Sequence, residues 1–460
     1  MINAQIEKLI SHEGRLAVGG TPEGYQPFVL ADMARLEGDR LVYIARDASA
    51  ATAMRNMLGF FAPDITTVYL PAWDCLPYDR LSPQVAVMSE RMATLAQLPL
   101  LEGTPHILVT TISAAAQRMP PRHMLAGLSM PLKPGNNIDI GALAGFLSRN
   151  GYSRCSTVME PGDYAVRGGI IDLFAPGGET PVRLDLFGDT LESIRPFDPE
   201  SQRTIGQLSE LTLTAAGEIH LDEETILRFR RGYVHAFGTV MSEDPLYAAI
   251  SDGARHQGME HWLPLFHDTL ETLFDHCEGA LYIADDQTEA ALQERHEQIA
   301  DYYQARHEAM QSDMKDSDGR RIIKPLPPEA LYLLDSEWAQ RVNDIRWRSI
   351  GAFEHPDGEN LSGRAGRSFA AERKQKDTNL FDAVVAHMAE EQAAGRFLLL
   401  VASSRGAMER LETLLKEHGA PPVQRIDTWQ APQQGQGARI AVIPMNNGCL
   451  LYTSPSPRDS

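Results

Sequence analysis

Apolar runs alternate with helix-like segments over the first 128 residues of the chain. The strand-like run LVYIARD, residues 41–47, is followed by ASAATAMRNMLGFF, whose alanines, methionines and leucine favour a helix. The same alternation continues through TTVYLPAWDCLPYD, VMSERMATLAQL and HILVTTISAAAQRMP. Strands that alternate with helices at this spacing predict a parallel sheet with helices on its faces.

The pattern changes near Gly151 to short runs in which apolar and polar residues alternate. The segment DYAVRGGIIDLFAPGGETPVRLDLFGDTLESIRPFD contains three such runs, separated by Pro176-Gly177-Gly178 and by Gly188-Asp189. Both interruptions are turn signals. The segment therefore predicts a three-stranded antiparallel meander.

Helical patterns return after residue 221 and include the long polar helix QTEAALQERHEQIADYYQARHEAM. We accordingly expect an α/β protein whose body consists of residues 1–128 and 217–352, interrupted by a small α+β domain at 129–216. Residues 353–377 are rich in glycine and charge and predict a linker. A separate small α/β domain is expected at 378–450, and the abrupt change to YTSPSPRDS predicts a non-native tail at 451–460.

The composition limits the partners and the compartment. Forty-two basic and 62 acidic residues give a net charge of −20, which repels a phosphate backbone. The four cysteines are far apart and form no C-x-x-C pair, so neither a disulfide framework nor a zinc site is indicated. No signal peptide opens the chain, and no apolar run reaches the roughly 18 residues that span a bilayer. We therefore expect a cytoplasmic protein without a membrane partner and, as the default, a monomer.

A glycine-rich loop, GGTPEGYQ, follows the first strand-like run. The spacing from Gly19 to Gly24 is that of a phosphate-binding loop, but Tyr25 and Gln26 stand where the lysine and the hydroxyl are needed. Pro22 also removes one backbone N–H donor. The loop is therefore expected to be a strand-to-helix turn that binds no nucleotide.

An acidic pair, Asp285 and Asp286, ends the apolar strand ALYIADD. In an ATPase such a pair holds magnesium, so its place resembles that of a Walker B motif. Without a loop lysine, a solvated strand end or a helix cap is the simpler interpretation. The histidines are scattered and no serine, histidine and aspartate order can be picked out, so no catalytic residue and no metal site is predicted.

The strand PVRLDLF carries the third candidate site. Side chains alternate along a strand, so one face carries Val182, Leu184 and Leu186 and the other carries Arg183, Asp185 and Phe187. An aromatic beside an arginine on an outer face is typical of protein–protein contacts. Arg167 lies on a neighbouring strand and joins this patch unless the following glycines form a bulge. The alternative is that a helix covers the outer face and that Phe187 belongs to the core.

The string VMEPGDYAVRGGIIDLFAPGGETPVRLDLFGDTLESIRPFDPESQRT closely resembles the UvrB-homology module of the bacterial transcription-repair coupling factors (Mfd). WDCLPYDRLSP, ERMATLAQL and GMEHWLPLF resemble further segments of that family in the same order. The resemblance extends over about residues 10–450 and covers only the beginning of the family's chain. It implies a degenerate helicase-like (RecA-like) body, in which the glycine loop and the acidic pair are relics of a nucleotide site.

What the resemblance implies for function is recruitment. The family dislodges RNA polymerase stalled at a DNA lesion and brings the repair protein UvrA to the site. The family's UvrA-binding surface, two arginines and an aromatic, corresponds to Arg167, Arg183 and Phe187. The resemblance places the ATP-hydrolysing motor, with its magnesium, and the contacts with RNA polymerase and DNA beyond this chain, so no cofactor is expected here.

Two alternatives to an adaptor module remain. A UvrB-like, ATP-dependent DNA-binding enzyme needs the loop lysine and an aromatic hairpin that grips a strand, and neither is visible in the sequence. A structural or autoinhibitory domain needs an intramolecular contact with the C-terminal domain of the parent protein. Family behaviour makes that contact compatible with UvrA binding, because the same surface can be masked.

Overall fold

The computed structural model describes residues 2–38, 40–127, 129–238, 244–311, 324–367, 369–374, 379–430, 437–445 and 449–450. The expected tail at 451–460 lies outside these residues, as do positions 368 and 375–377 of the expected linker. Within the described part of the chain, no helix is long and apolar enough to cross a membrane.

The first part of the chain alternates helices and strands, as its pattern predicts. The helices are α1 (Ile2–Ser11), α2 (Gln26–Glu37), α3 (Ala48–Phe61), α4 (Val85–Gln97), α5 (Ile112–Ala115) and α6 (Arg122–Gly127). The strands are β1 (Arg15–Gly19), β2 (Arg40–Ala45), β3 (Thr66–Leu70) and β4 (His106–Thr111). Helix α3 begins after Asp47, whose carboxylate accepts the backbone N–H of Ala50 at 2.8 Å and so caps the helix.

The second part of the chain is mostly extended. It contains β5 (Met130–Leu132), α7 (Ile140–Arg149), β6 (Ser153–Arg154), β7 (Asp163–Arg167), β8 (Ile170–Leu173), β9 (Val182–Phe187), β10 (Thr190–Pro196) and β11 (Leu211–Leu213). Strands β7 to β10 pair antiparallel in chain order, and β6 adds to β7 in parallel. We call this five-stranded arrangement of the described residues the inserted sheet.

The remaining elements belong to the second part of the body and to the C-terminal unit. They are α8 (Glu223–Phe237), α9 (Pro245–Ser251), α10 (Leu273–His276), β12 (Leu281–Asp285), α11 (Thr288–Gln311), α12 (Asp335–Asn343), β13 (Trp347–Ile350), β14 (Glu359–Asn360), β15 (Arg364–Ala365), α13 (Ala370–Lys374), α14 (Leu380–Ala393), β16 (Leu399–Ala402), α15 (Arg405–Glu417), β17 (Gln424–Arg425), β18 (Arg439–Val442) and β19 (Cys449–Leu450). Short 3₁₀ helices lie at Leu98–Leu101, Met259–Leu265 and Pro328–Ala330.

A large parallel sheet forms the centre of the body. In the described residues its strand order is β14-β1-β13-β12-β2-β4-β3, so strands from both ends of the body interleave. Strand β2 is buried on both faces: Leu41 and Tyr43 pack with α1, α2 and α3, whereas Val42 and Ile44 pack with α4, α11 and α12. This double burial explains why β2 reads as a continuous apolar run. The α/β class is thereby confirmed.

The inserted sheet has one apolar face and one polar face. Its apolar face packs against α7, and the shared core includes Leu147, Ile171, Leu184 and Ile194. The sequence predicts three strands here, but the structure has a further hairpin between β7 and β8. Gly168 makes this turn possible, because its φ of 61° is a conformation that favours glycine.

The C-terminal unit and the segment before it differ most from the predictions. Strands β16, β18 and β17 form a small parallel sheet, but Ala441 and Ile443 share the core of the body, so this unit is not separate. The expected linker is partly strand: β14 pairs with β1, and β15 pairs with β19. Its glycines let the backbone approach the first loop closely, and backbone pairing requires no apolar pattern.

Candidate functional site

The polar face of the inserted sheet brings the three predicted binding residues together. Residues paired across neighbouring strands point to the same face, and Arg167 pairs with Ile170 while Asp172 pairs with Arg183. Phe187 follows Arg183 on the same face of β9, four residues along. Val182 and Leu184, 4% and 0% exposed, point into the core as predicted. We call this face, defined by Arg167, Ile170, Asp172, Arg183 and Phe187, the outer face.

Phe187 and Arg167 are accessible to solvent, whereas Arg183 is largely covered. Phe187 is 77% exposed, which makes it one of the most exposed large apolar residues of the described chain. The side chain of Arg167 is 52% exposed, and that of Arg183 only 19%. The exposure that the sequence predicts is therefore observed for Phe187 and Arg167. It is not observed for Arg183.

A buried carboxylate explains the position of Arg183. Its Nε and Nη2 donate to Oδ1 and Oδ2 of Asp172 at 2.7 and 2.9 Å, and the Asp172 side chain is only 2% exposed. The guanidinium carbon also lies 4.9 Å from the ring centre of Phe197. The hydrogen bond to Asp172 raises the pKa of Arg183 above its ordinary value. The hydrogen bonds to Asp172 and the stacking on Phe197 together hold this arginine against the sheet.

Two tight turns set the edge of the outer face. Gly168 and Gly188 have φ of 61° and 60° and join β7 to β8 and β9 to β10. A Cβ on Gly169 would lie 2.7 Å from the carbonyl oxygen of Leu186, so only glycine allows the two hairpins to approach this closely. As a result Arg167, Ile170 and Phe187 lie near the same end of the sheet.

Sequence reasoning missed Ile170 and Asp172. Ile170 is 36% exposed on the outer face, and Asp172 is buried between the apolar neighbours Ile171 and Leu173. An acidic residue inside an apolar strand is itself a signal, because a buried carboxylate requires a partner. The sequence alone does not identify Arg183 as this partner, because the pairing depends on the register of β8 against β9.

The predicted relic of a phosphate loop is filled by the chain itself. The loop joins β1 to α2, and residues 351–363, which we call the plug segment, lie against it. The N–H groups of Gly20 and Thr21 donate to the carbonyls of Phe353 and Gly351 at 3.2 and 2.9 Å. A Cβ on Gly19 would lie 2.5 Å from the Phe353 carbonyl oxygen, so the plug segment packs too closely against Gly19 for any other residue to fit there.

Further hydrogen-bond donors of the loop are also bound to carbonyl groups of the chain. The N–H groups of Tyr25 and Gln26 both donate to the carbonyl of Pro22, and the Gln26 side chain donates to the carbonyl of Thr21 at 3.1 Å. Burial raises the pKa of the Tyr25 phenol, which belongs to the core of the body. A Cβ on Gly24 would lie 2.7 Å from the sulfur of Met445. Tyr25, at the lysine position, thus packs in the core, and Gln26, at the hydroxyl position, hydrogen-bonds to the backbone of the loop.

The acidic pair lies near this loop but is engaged elsewhere. Asp285 is 8% exposed, and its Oδ2 accepts from Nη1 of Arg46 at 2.7 Å. Burial, followed by the charge of Asp285, raises the pKa of Asp286. A Cβ on Gly351 would lie 2.7 Å from Oδ2 of Asp286, and the Gly351 carbonyl accepts from Thr21 of the loop, so Gly351 lies between the pair and the loop. The described residues contain no group of three or more histidine, cysteine and acidic side chains able to hold a metal ion.

Comparisons with known proteins agree with the resemblance seen in the sequence. The family model described as UvrB interaction domain matches residues 130–218. A transcription-repair-coupling factor of Rickettsia bellii is 26% identical over 88% of this chain and 35% of its own length. The factors of Escherichia coli and Myxococcus xanthus are 34% and 37% identical over 54% and 53% of this chain. The chain spans 21% of the length of each of these last two.

Proposed function

We propose that this chain, a member of the transcription-repair-coupling factor family, is an adaptor module that binds UvrA through the outer face of the inserted sheet. The observation that carries the proposal is the 77% exposure of Phe187 beside the accessible Arg167. Both residues lie inside the segment that the UvrB interaction domain model matches. Aromatic and arginine side chains dominate the energetics of many protein interfaces.

The chemistry of the outer face defines a complementary partner surface. Phe187 and Ile170 offer an apolar area at the end of two hairpins, and Arg167 adds a guanidinium that pairs bidentately with carboxylates. A partner surface with an apolar pocket next to an acidic side chain fits this arrangement. We propose that UvrA presents such a surface.

The test is a calorimetric titration of UvrA into the purified chain. Phe187→Ala is expected to weaken binding at least about tenfold, because a lost central anchor commonly costs about 2 kcal/mol or more. Phe353→Ala is the matched control, since Phe353 is 85% exposed but lies on the plug segment. Equal affinity of the two variants would contradict the proposal.

We also propose that this chain performs no nucleotide chemistry of its own. The support is the closed loop, in which four backbone N–H groups that a phosphate needs are bound to carbonyls of the chain. This arrangement disfavours the alternative of a UvrB-like, ATP-dependent enzyme. ATP-driven DNA translocation, and the contacts with RNA polymerase and DNA, are then properties of the parts of the longer relatives that this chain does not span.

Masking of the outer face by another part of the parent protein is compatible with this function. The proposal is that the outer face contacts the parent's C-terminal domain when UvrA is absent. We further propose that residues 129–216 form a domain inserted into a body made of 1–128 and 217–352. Limited proteolysis tests that division: cleavage near both ends of the insert should release a folded fragment, and cleavage inside it would contradict the boundaries.

A further inference from the structure

We infer that Asp172 and Arg183 are a positioning pair beneath the UvrA-binding surface, and that Arg183 acts on binding only through Asp172. The inference rests on the proposed function, because it concerns how the same surface is kept ready. In this arrangement the groups that touch UvrA are Arg167, Ile170 and Phe187. Arg183 neutralises the carboxylate that would otherwise capture Arg167.

The contacts of Arg183 leave it little to offer a partner. Two of its nitrogens are bound to Asp172 at 2.7 and 2.9 Å, one face of the guanidinium lies over Phe197, and 19% of the side chain is exposed. Phe197 itself is 0% exposed, so this stack lies within the domain. Arg183 therefore fixes the positions of the side chains around it and has little surface left for contact with UvrA.

Arg167 lies close to the Asp172 carboxylate but makes no hydrogen bond with it. Its Nη1 is 3.8 Å from Oδ2 of Asp172, which is beyond a hydrogen bond, while its Nη2 donates to the carbonyl of Ser156. Its side chain remains 52% exposed. Because Arg183 neutralises the Asp172 carboxylate, the electrostatic attraction that would draw Arg167 closer to Asp172 is weak.

Removal of Arg183 would strengthen the attraction between Arg167 and Asp172. Asp172, 2% exposed, would be left as a buried charge without its bidentate partner, and such a charge strongly attracts the nearest cation. Arg167 is that cation, and a small rotation brings it onto the carboxylate. The surface would then lose the exposed guanidinium of Arg167 as well, although Arg167 itself is unchanged.

This mechanism predicts rescue by a second substitution. Arg183→Gln should weaken UvrA binding at least about tenfold, because Arg167 collapses onto Asp172. The double variant Asp172→Asn/Arg183→Gln removes the charge that captures Arg167, so its affinity should return to within about threefold of the unsubstituted chain. Asp172→Asn alone should also bind within about threefold. If Arg183 contacts UvrA directly, the double variant will bind as weakly as Arg183→Gln, and the inference is overturned.

A third variant separates binding from folding. Arg183→Lys keeps a positive charge beside Asp172 but lacks the planar fork, so neutralisation survives while a bidentate contact with UvrA would not. We expect binding within about threefold of the unsubstituted chain, and a loss above about tenfold would overturn the inference even if Arg183→Gln fails to fold. All titrations are made at a temperature where near-ultraviolet circular dichroism shows each variant folded.

The design distinguishes failure of the inference from failure of the proposed function. If the unsubstituted chain does not bind UvrA, or if Phe187→Ala binds normally, the proposed function is wrong and the positioning role falls with it. If the unsubstituted chain binds, Phe187→Ala does not, and the double variant stays weak, only the positioning role is wrong. Rescue of the double variant together with loss in Phe187→Ala supports both.

Discussion

Arg91 and Glu218 form an ion pair from which solvent is wholly excluded. Nε of Arg91 lies 2.6 Å from Oε1 of Glu218, and both side chains are 0% exposed. Arg91 also donates to the carbonyl of Pro71 at 2.5 Å. Arg91 lies on α4, and Glu218 is the last residue of the segment 130–218 that the family model matches, so the pair fastens the end of that segment to α4.

The first prediction concerns this pair. Glu218→Ala should lower the free energy of unfolding by about 3 to 5 kcal/mol, because it leaves the Arg91 charge buried without a partner. Urea denaturation followed by circular dichroism measures the change. The double variant Arg91→Met/Glu218→Leu should be destabilised less than Glu218→Ala, since it leaves no unpaired charge. A double variant at least as unstable as Glu218→Ala would contradict this explanation.

The second prediction concerns nucleotide binding. Calorimetry should detect no magnesium-dependent ATP binding by this chain, because the loop N–H groups are bound to carbonyls of the plug segment and of Pro22, and Tyr25 replaces the lysine. The double variant Tyr25→Lys/Gln26→Thr restores the two side chains of a phosphate loop but leaves its N–H groups engaged. It should therefore remain unable to bind ATP. Micromolar affinity in either protein would disprove the prediction.

The third prediction concerns the C-terminal unit. The ring centre of Trp429 lies 5.3 Å from that of Phe28 and 5.6 Å from that of Phe61, and its backbone N–H donates to the Phe60 carbonyl at 2.9 Å. Trp429→Ala should cost about 2 kcal/mol, because the residue is partly buried and fully buried tryptophans cost about 3 to 5. Proteolysis should then cleave residues 379–430 faster than residues 40–127. Phe381→Ala is the control within the unit, since Phe381 stacks on His418 instead.

The fourth prediction concerns acid sensitivity. His261 is 3% exposed, and burial lowers its pKa to about 4. The unfolded chain, with an ordinary pKa near 6.5, binds the proton more readily, so protonation favours unfolding. His261 alone should cost the protein up to about 3 kcal/mol of stability as the pH falls from 6.5 towards 4.

The variant His261→Phe checks this pH dependence. It should retain more of its stability at pH 5, relative to pH 7, than the unsubstituted chain does, whereas a change at the exposed His235 should not. Burial lowers the pKa of His267 to about 4 as well, so some acid sensitivity should persist in His261→Phe. Parallel stability curves for all three proteins would show that His261 does not titrate as expected.

Local patterns predicted the elements of the body but not how distant segments meet. Strand β2 and helix α3 appear where the sequence indicates, because burial on both faces and an aspartate cap leave clear signals. Strand β13, WRSI, escaped prediction because it contains an arginine. Arg348 is 0% exposed and donates to the carbonyls of Leu9 and Gly14 at 2.5 and 2.7 Å, which no local pattern reveals.

The same limit applies to the candidate site. Alternation along β9 correctly placed Phe187 on the outer side, because that rule needs only one strand. The covering of Arg183 depends on Asp172, which lies on another strand, and therefore on the register between β8 and β9. Residues 353–363 of the plug segment fall within the predicted linker, because their contacts with the loop are made mostly by backbone groups and leave no apolar pattern.

The strand order of the large sheet also constrains how the protein is made. Strands β13 and β12 lie between β1 and β2, so a nascent chain cannot close the sheet before residue 350 has been synthesised. At about 5–20 residues per second, β1 and β2 wait on the order of tens of seconds with open, apolar edges. Residues 129–216, which we propose form an inserted domain, are synthesised long before that and can fold first. Truncations that end before β13 should therefore aggregate during expression, with the nascent body dependent on chaperones until its last central strand emerges.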